Sequence, residues 1–355
     1  MARIFGQEYT RQELTQRLGD LSQLGGIRLM TLQDGTEAGV RIADVRTGSG
    51  LRFQVTLDRG MDISQAEYRG IPLTWRSSQG DVHPAYFDES GMNWVRSFAG
   101  GLMTGCGMTY VGSPCVDDGR QLGLHGRLSN IPAQHVGTTT TWNGDQCIMS
   151  VSGSVRESNL FGENLLLCRT IETELGKSRI KLLDSVVNEG TGPVPLMMLY
   201  HINIGWPLLE EDAELIFRAN SSRPRDAQAA PGLDMAKKML APQGGYREQV
   251  FYHDVLSDAD GCASVLLHNP HRNLGLLLRY RKRELPNLVQ WKMMGEGMYV
   301  LGIEPANCGV EGRTIERERG TLQILSPAEK REFYLEIEIL DGDEQINQRI
   351  QRNSV

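Results

Sequence analysis

The segment Glu332 to Ile339 sets the tightest limit on the fold. Phe333, Leu335, Ile337 and Ile339 alternate with Glu332, Tyr334, Glu336 and Glu338, a period of two that suits a strand with one buried face. The same pattern of strand and turn recurs along the chain. Residues 165–175 and 179–187 flank Gly176-Lys177, and 265–267 and 274–280 flank Asn269-Pro270-His271-Arg272-Asn273; both read as hairpins. The 40 glycines and 14 prolines are spread between such segments and do not pool into a linker. Helix signals are few. Thr10-Arg11-Gln12-Glu13 fits a capping box, and Leu14, Leu18 and Leu21 follow at helical spacing, which predicts a short helical segment over about 10–24. Residues 221–245 mix Pro, Gly, Asp and Gln with no clean period and are expected to form a long loop. Many strands without βαβ alternation predict one mainly β domain over 1–355, a large antiparallel sandwich.

Composition narrows the function classes. The net charge of −7 argues against a general nucleic-acid binder, whose phosphate contacts need a basic surface. The basic run Arg279-Tyr280-Arg281-Lys282-Arg283 alternates along an expected strand and reads as a solvated face. The N-terminus lacks the apolar stretch of a signal peptide. The longest apolar runs, such as 194–200, fall well short of a bilayer span. The expectation is a soluble, cytoplasmic protein with no membrane contact. Six cysteines without a CxxC pair indicate neither a zinc knuckle nor a disulfide framework. Cys106 and Cys308 lie near the segments described next, but a cysteine nucleophile is a minor reading.

Three separated segments offer one protonatable side chain each: Gly123-Leu124-His125-Gly126-Arg127, Leu199-Tyr200-His201-Ile202-Asn203 and Leu301-Gly302-Ile303-Glu304-Pro305. His125 sits between glycines that let a ligand or backbone approach closely; an isolated turn histidine would look the same. Arg127 would share a strand face with His125 if the segment is extended. His201 interrupts an apolar strand in which Tyr200, Ile202 and Ile204 share one face and His201, Asn203 and Gly205 the other. A core histidine bonded to a carbonyl is the bland alternative. Glu304 ends a hydrophobic strand, where desolvation would raise its pKa toward that of a useful base; a strand-end ion pair with Arg313 or Lys292 is the competing reading. Asp254 and Lys292 are secondary candidates. HExxH, GxSxG, Walker and dinucleotide motifs are absent, so no cofactor is expected. His125, His201 and Glu304 could formally make a two-histidine, one-carboxylate metal set, although the spacing does not favour it. Two imidazoles and a carboxylate are equipment for moving protons on a neutral, hydroxyl-rich molecule such as a sugar.

These residues also carry a family likeness. The chain resembles the aldose 1-epimerase (galactose mutarotase-like) superfamily, and within it most closely the DUF4432 family. The resemblance covers most of the chain and rests on Leu57-Asp58-Arg59-Gly60-Met61-Asp62-Ile63, Phe98-Ala99-Gly100-Gly101-Leu102, the three segments above, the continuation Pro305-Ala306-Asn307, and a final strand pair around Leu325-Ser326-Pro327-Ala328-Glu329. It implies a β-supersandwich that binds a small-molecule carbohydrate in a cleft on one sheet face. It implies Glu304 as the base at the anomeric hydroxyl and His201 as the acid at the ring oxygen. His125 would hold a sugar hydroxyl, and Asp254 is matched to a hydroxyl-binding aspartate. Two departures stand out. Residues 101–107 lack the arginine that mutarotases carry before the Leu-His-Gly motif, and Arg127 stands where glycine is usual. With Lys292 adding a further cation, the substrate is expected to be a sugar that can carry a carboxylate. The substrate-binding set is therefore His125, Arg127, Asn203, Asp254 and Lys292. A non-catalytic sugar-binding protein and a sugar lyase or isomerase remain as alternatives, and a homodimer is compatible with so sheet-rich a chain.

Overall fold

The computed structural model describes residues 1–351. Its architecture is a set of antiparallel sheets. The largest has eight strands in the spatial order Gln134–Asn143, Gln146–Ser158, Asn164–Glu174, Arg179–Asn188, Lys330–Asp341, Leu274–Arg281, Cys262–Asn269 and Glu214–Ile216. A six-stranded sheet runs Ala219–Pro224, Gln249–Val255, Asn287–Gly295, Met298–Ala306, Leu199–Gly205 and Thr104–Cys106. A five-stranded sheet, Gly26–Thr31 through Ile71–Pro72, completes the main layers.

The expected alternation at Phe333–Ile339 is present: all four apolar side chains are buried in the main core. Both predicted hairpins form, joining Asn164–Glu174 to Arg179–Asn188 and Cys262–Asn269 to Leu274–Arg281. The basic run around Arg281 is strand up to Arg281, with Tyr280 buried and Arg279 ion-paired to Asp258. Thr10 and Glu13 make the reciprocal capping box. The α-helix they open is shorter than predicted, Arg11–Thr15, and only a 3₁₀ turn at Leu21–Gln23 continues the segment. The segment expected as a long loop begins as the edge strand Ala219–Pro224 and contains the 3₁₀ turn Ala230–Met235. Among the described residues no helix is long and apolar enough to cross a membrane.

The six-stranded sheet is covered on both sides, and this places the site. One face sends Tyr200, Ile202, Ile204, Leu288, Leu301 and Ile303 into the main core. The other carries a second cluster of Leu199, Val250, Val289, Trp94, Phe98 and Val310. Strand Leu199–Gly205 is consequently buried at every position, the pattern of a strand with no solvent face.

The Asp58-Arg59-Gly60-Met61-Asp62 segment fastens these layers together. Asp58 accepts from the Arg41 guanidinium and its backbone N–H. Arg59, 2 % exposed, donates to the carbonyls of Val82 and Ser97 and to Asn130. Asp62 accepts from the Gly105 N–H and lies 3.6 Å from Arg169, which is bound to Asp184. A buried guanidinium that satisfies several carbonyls at once fixes loops that have no sheet ladder of their own.

Candidate active site

His201 and Glu304 meet because their strands are neighbours. The register that sets Ile202 against Ile303 and Leu199 against Ala306 brings His201 opposite Glu304. Side chains of facing residues lie on the same side of the sheet. His201 Nε2 lies 3.2 Å from Glu304 Oε1, with side-chain exposures of 6 % and 3 %. Gly302 makes room for them. A Cβ there would come within 2.5 Å of Glu304 Oε1 and 3.1 Å of His201 Cε1, so any side chain at 302 would displace the carboxylate.

His125 reaches the same cleft from a turn. Its φ of 57° is left-handed, so the expected extended segment does not form. Gly126, at φ 79°, follows it; a Cβ there would strike the carbonyl oxygens of Gly107 and Tyr110 at 2.4 and 2.5 Å. The turn is pinned by Gly107 N–H to His125 O and His125 N–H to Gly112 O. The His125 ring lies 6.0 Å from that of His201, edge to face.

A cleft of about 870 Å³ opens over these groups. Its walls include Trp75, Trp94, Phe98 and Trp291. Phe98 and Trp291 lie 5.4 and 5.5 Å from the His201 ring, and Trp94 lies 4.9 Å from that of His125. Arg225, Asp226 and Glu248 line one side. Arg225 pairs with both carboxylates, and Glu248 accepts a 2.8 Å hydrogen bond from the Trp291 indole. Nδ1 of His125, Nδ1 of His201, Oε1 of Glu304 and Nε1 of Trp94 are buried without a hydrogen-bond partner among the described residues. Buried polar atoms left unpaired at a cleft are unusual and mark where a ligand's own groups can bond.

Burial governs the protonation states. It pushes the Glu304 carboxyl up to about 8, helped by the Glu248 charge and opposed by Arg225. It holds His201 well below the usual histidine value, with His125 as a second cause, and His125 falls to about 4 through burial and Arg225. At neutral pH the pair therefore rests as a protonated carboxyl beside a neutral imidazole, with one proton between them.

The other expected site residues lie elsewhere. Arg127 caps the 3₁₀ turn Leu128–Asn130 and pairs with Glu89 at 3.2 Å, outside the cleft lining. Lys292 projects from the opposite face of its strand, where its ammonium donates to the Met235 and Lys238 carbonyls at 2.6 and 2.5 Å. Asp254 is at the surface, bound to Lys282 and Asn220. Asn203 shares the face of His201 but lies below the cleft, its amide donating to the Gly101 and His201 carbonyls. Glu304 pairs with neither Arg313 nor Lys292; Arg313 is bound to Asp117. The expectation of an acidic sugar thus loses both of its cations. In their place the cleft holds Arg76 and Arg225, each matched by carboxylates. Burial raises the Cys106 and Cys308 thiols well above their ordinary value, which disfavours a thiolate nucleophile. Among the described residues no group of three His, Cys, Asp or Glu side chains is placed to hold a metal ion. Sequence reasoning missed the aromatic walls, although Phe98 falls inside a segment it had singled out and Trp291 stands next to the candidate Lys292. It also missed Arg225, which falls in the stretch taken as a loop.

Solved structures of other proteins share the fold. A provisionally designated aldose 1-epimerase from Klebsiella pneumoniae superposes with a TM-score of 0.88 at 26 % identity, covering 92 % of this chain and 86 % of its own. A galactose mutarotase-like protein from Clostridium acetobutylicum shares the fold with a TM-score of 0.61 at 14 % identity, covering 90 % and 99 %. The galactose 1-epimerase of Lactobacillus acidophilus does so with a TM-score of 0.56 at 10 % identity, covering 90 % and 99 %. No curated protein matches the chain in sequence. The family model described as Domain of unknown function (DUF4432) matches residues 37–339, and the chain belongs to that family, on a galactose mutarotase-like fold.

Proposed function

We propose that the protein interconverts the anomers of a neutral reducing sugar by general acid–base catalysis, as an aldose 1-epimerase-like isomerase. The observation that carries this reading is the 3.2 Å approach of His201 and Glu304 at the base of an aromatic-walled cleft. In a cyclic sugar the anomeric hydroxyl and the ring oxygen are bonded to the same carbon. A base for the first and an acid for the second must therefore stand side by side. Glu304, as carboxylate, takes the anomeric proton while His201, as imidazolium, protonates the ring oxygen. The C1–O bond to the ring breaks and the open-chain aldehyde forms. Rotation about C1–C2 and closure with the roles reversed gives the other anomer and restores the proton count. The pair needs one proton in total, the number burial assigns to it near neutrality. Passing that proton from Glu304 to His201 creates base and acid together.

The aromatic walls suit the C–H faces of a sugar ring, and His125 is placed to bond a hydroxyl. A neutral substrate follows from the lining. Arg76 and Arg225 are outnumbered by Asp226, Glu248 and Glu311 even with Glu304 protonated, so a free carboxylate would enter against net negative charge. The test is exchange NMR of anomer interconversion over a panel of neutral and acidic sugars. Acceleration by the wild type on a neutral sugar, absent in Glu304→Gln, supports the proposal. Binding without acceleration would assign a sugar-binding protein, and new product resonances would assign a lyase or a different isomerase.

A further inference from the structure

Every sheet ends in two edge strands, and an edge is a row of unpaired N–H and C=O groups that another strand can extend unless something blunts it. In the three large sheets all edges but one are blunted. Glu214–Ile216 and Thr104–Cys106 are three residues long. Ile71–Pro72 is two residues and ends in proline. Ala219–Pro224 is bulged and carries Arg223 and Pro224, and Gly26–Thr31 carries Arg28. The remaining edge is Gln134–Asn143: past the register shift between Gln134 and Gly137 it runs regularly over Gly137–Asn143, with no proline and no Asp, Glu, Lys or Arg. Thr138, Thr139, Thr140 and Thr141 are all exposed.

We infer that this edge is a self-association surface, on which two copies of the chain join their eight-stranded sheets by antiparallel pairing of Gly137–Asn143. The direction of the backbone groups fixes the register. Asn143 pairs with Gln146 across a two-residue turn, and the Cys147 carbonyl turns the other way to accept from Leu175 N–H. In an antiparallel ladder the bonded and non-bonded pairs alternate. Asn143, Thr141, Thr139 and Gly137 therefore spend their backbone groups on the neighbouring strand, while Trp142, Thr140 and Thr138 present theirs outward. The regular stretch starts at Gly137, where the register shift after Gln134 ends, and Thr140 is its midpoint. A two-fold axis at Thr140 pairs Thr140 with its own copy and Thr138 with Trp142 of the second copy. That register uses every outward group of the stretch and forms aromatic–β-branched cross-strand pairs on one face. A partner of different sequence would not be favoured by this internal symmetry.

The test is sedimentation velocity of the full chain from low to high micromolar concentration, with hydrogen exchange read at single amides. The expected result is a species of twice the monomer mass, with the Thr138, Thr140 and Trp142 amides more protected as concentration rises. Thr140→Pro removes an outward donor and leaves the ladder to the neighbouring strand alone. The pair Thr138→Lys and Thr140→Lys brings like charges together at the axis without a backbone change. Each is expected to weaken dimerisation at least ~100-fold with near-UV circular dichroism unchanged. If Thr140→Pro misfolds, the lysine variant decides. A wild type that stays monomeric throughout, or a dimer that survives the lysine variant, overturns the inference.

Discussion

Replacing Glu304 by Gln should make the protein more stable and nearly inactive, and both effects follow from one carboxyl. Burial raises this group from 4.5 to about 8, and its side chain is only 3 % exposed, so bulk solvent does little to soften the shift. Below pH ~4.5 the folded and unfolded chains both hold the proton, and the group adds no pH-dependent term. As pH rises, the unfolded chain releases its proton first, so stability falls. The fall ends once pH passes about 8, where the folded carboxyl ionises too. The gap corresponds to roughly 4–5 kcal/mol, an upper figure because the denatured chain is not fully solvated. Glutamine has nearly the same shape and no proton to lose, so the variant escapes this cost. For a chain of this length the gain should raise Tm by on the order of 5 °C at pH 8 and by almost nothing at pH 4. Loss of the base should lower kcat for anomer exchange by ~10²–10⁴. Calorimetry and exchange NMR on the two proteins read both quantities. A variant less stable than the wild type at pH 8, or one that retains more than a tenth of the activity, would refute the reasoning that a desolvated Glu304 is the base.

Three further outcomes follow from the same geometry. If the His201–Glu304 pair works with one proton, kcat/KM should be level through neutral pH and decline as pH rises past about 8; an increase across that range would mean the pair acts fully deprotonated. Gly302→Ala should lower kcat by at least ~10² while the protein still folds, because the new Cβ would lie 2.5 Å from Glu304 Oε1; wild-type activity in a folded Gly302→Ala protein would place the reacting carboxylate elsewhere. Arg59→Lys keeps the charge but gives up the fork that holds Val82, Ser97 and Asn130. It should cost about 3 kcal/mol in chemical denaturation and raise KM more than it lowers kcat, by loosening the Trp94–Phe98 wall.

The strand content and the candidate pair His201 and Glu304, which the structure brings to 3.2 Å, were legible in the sequence because each rests on a local rule. Alternation at Phe333–Ile339 records burial directly, and a histidine or carboxylate inside an apolar strand has few places to point. The misplaced residues fail where the local rule needs information from a neighbouring strand. His125 and Arg127 would share a face only on extended backbone, and the left-handed turn at His125 removes that premise. For Trp291 and Lys292, period two guarantees that one of them faces the cleft, but which one depends on register. Val289 is paired with Glu304, so Val289 shares Glu304's side of the sheet and, two residues on, so does Trp291. Lys292 is thereby excluded, whatever its charge suggests. Parity by itself is also too weak. Asp254 shares the face of Val250, which is paired with Trp291, yet the ladder to the next strand stops at His253 and Leu288, and beyond it Asp254 turns to Lys282. The cleft is thus chosen by register and strand length together, and this is why it took an aromatic wall in preference to the cations that the sequence offered.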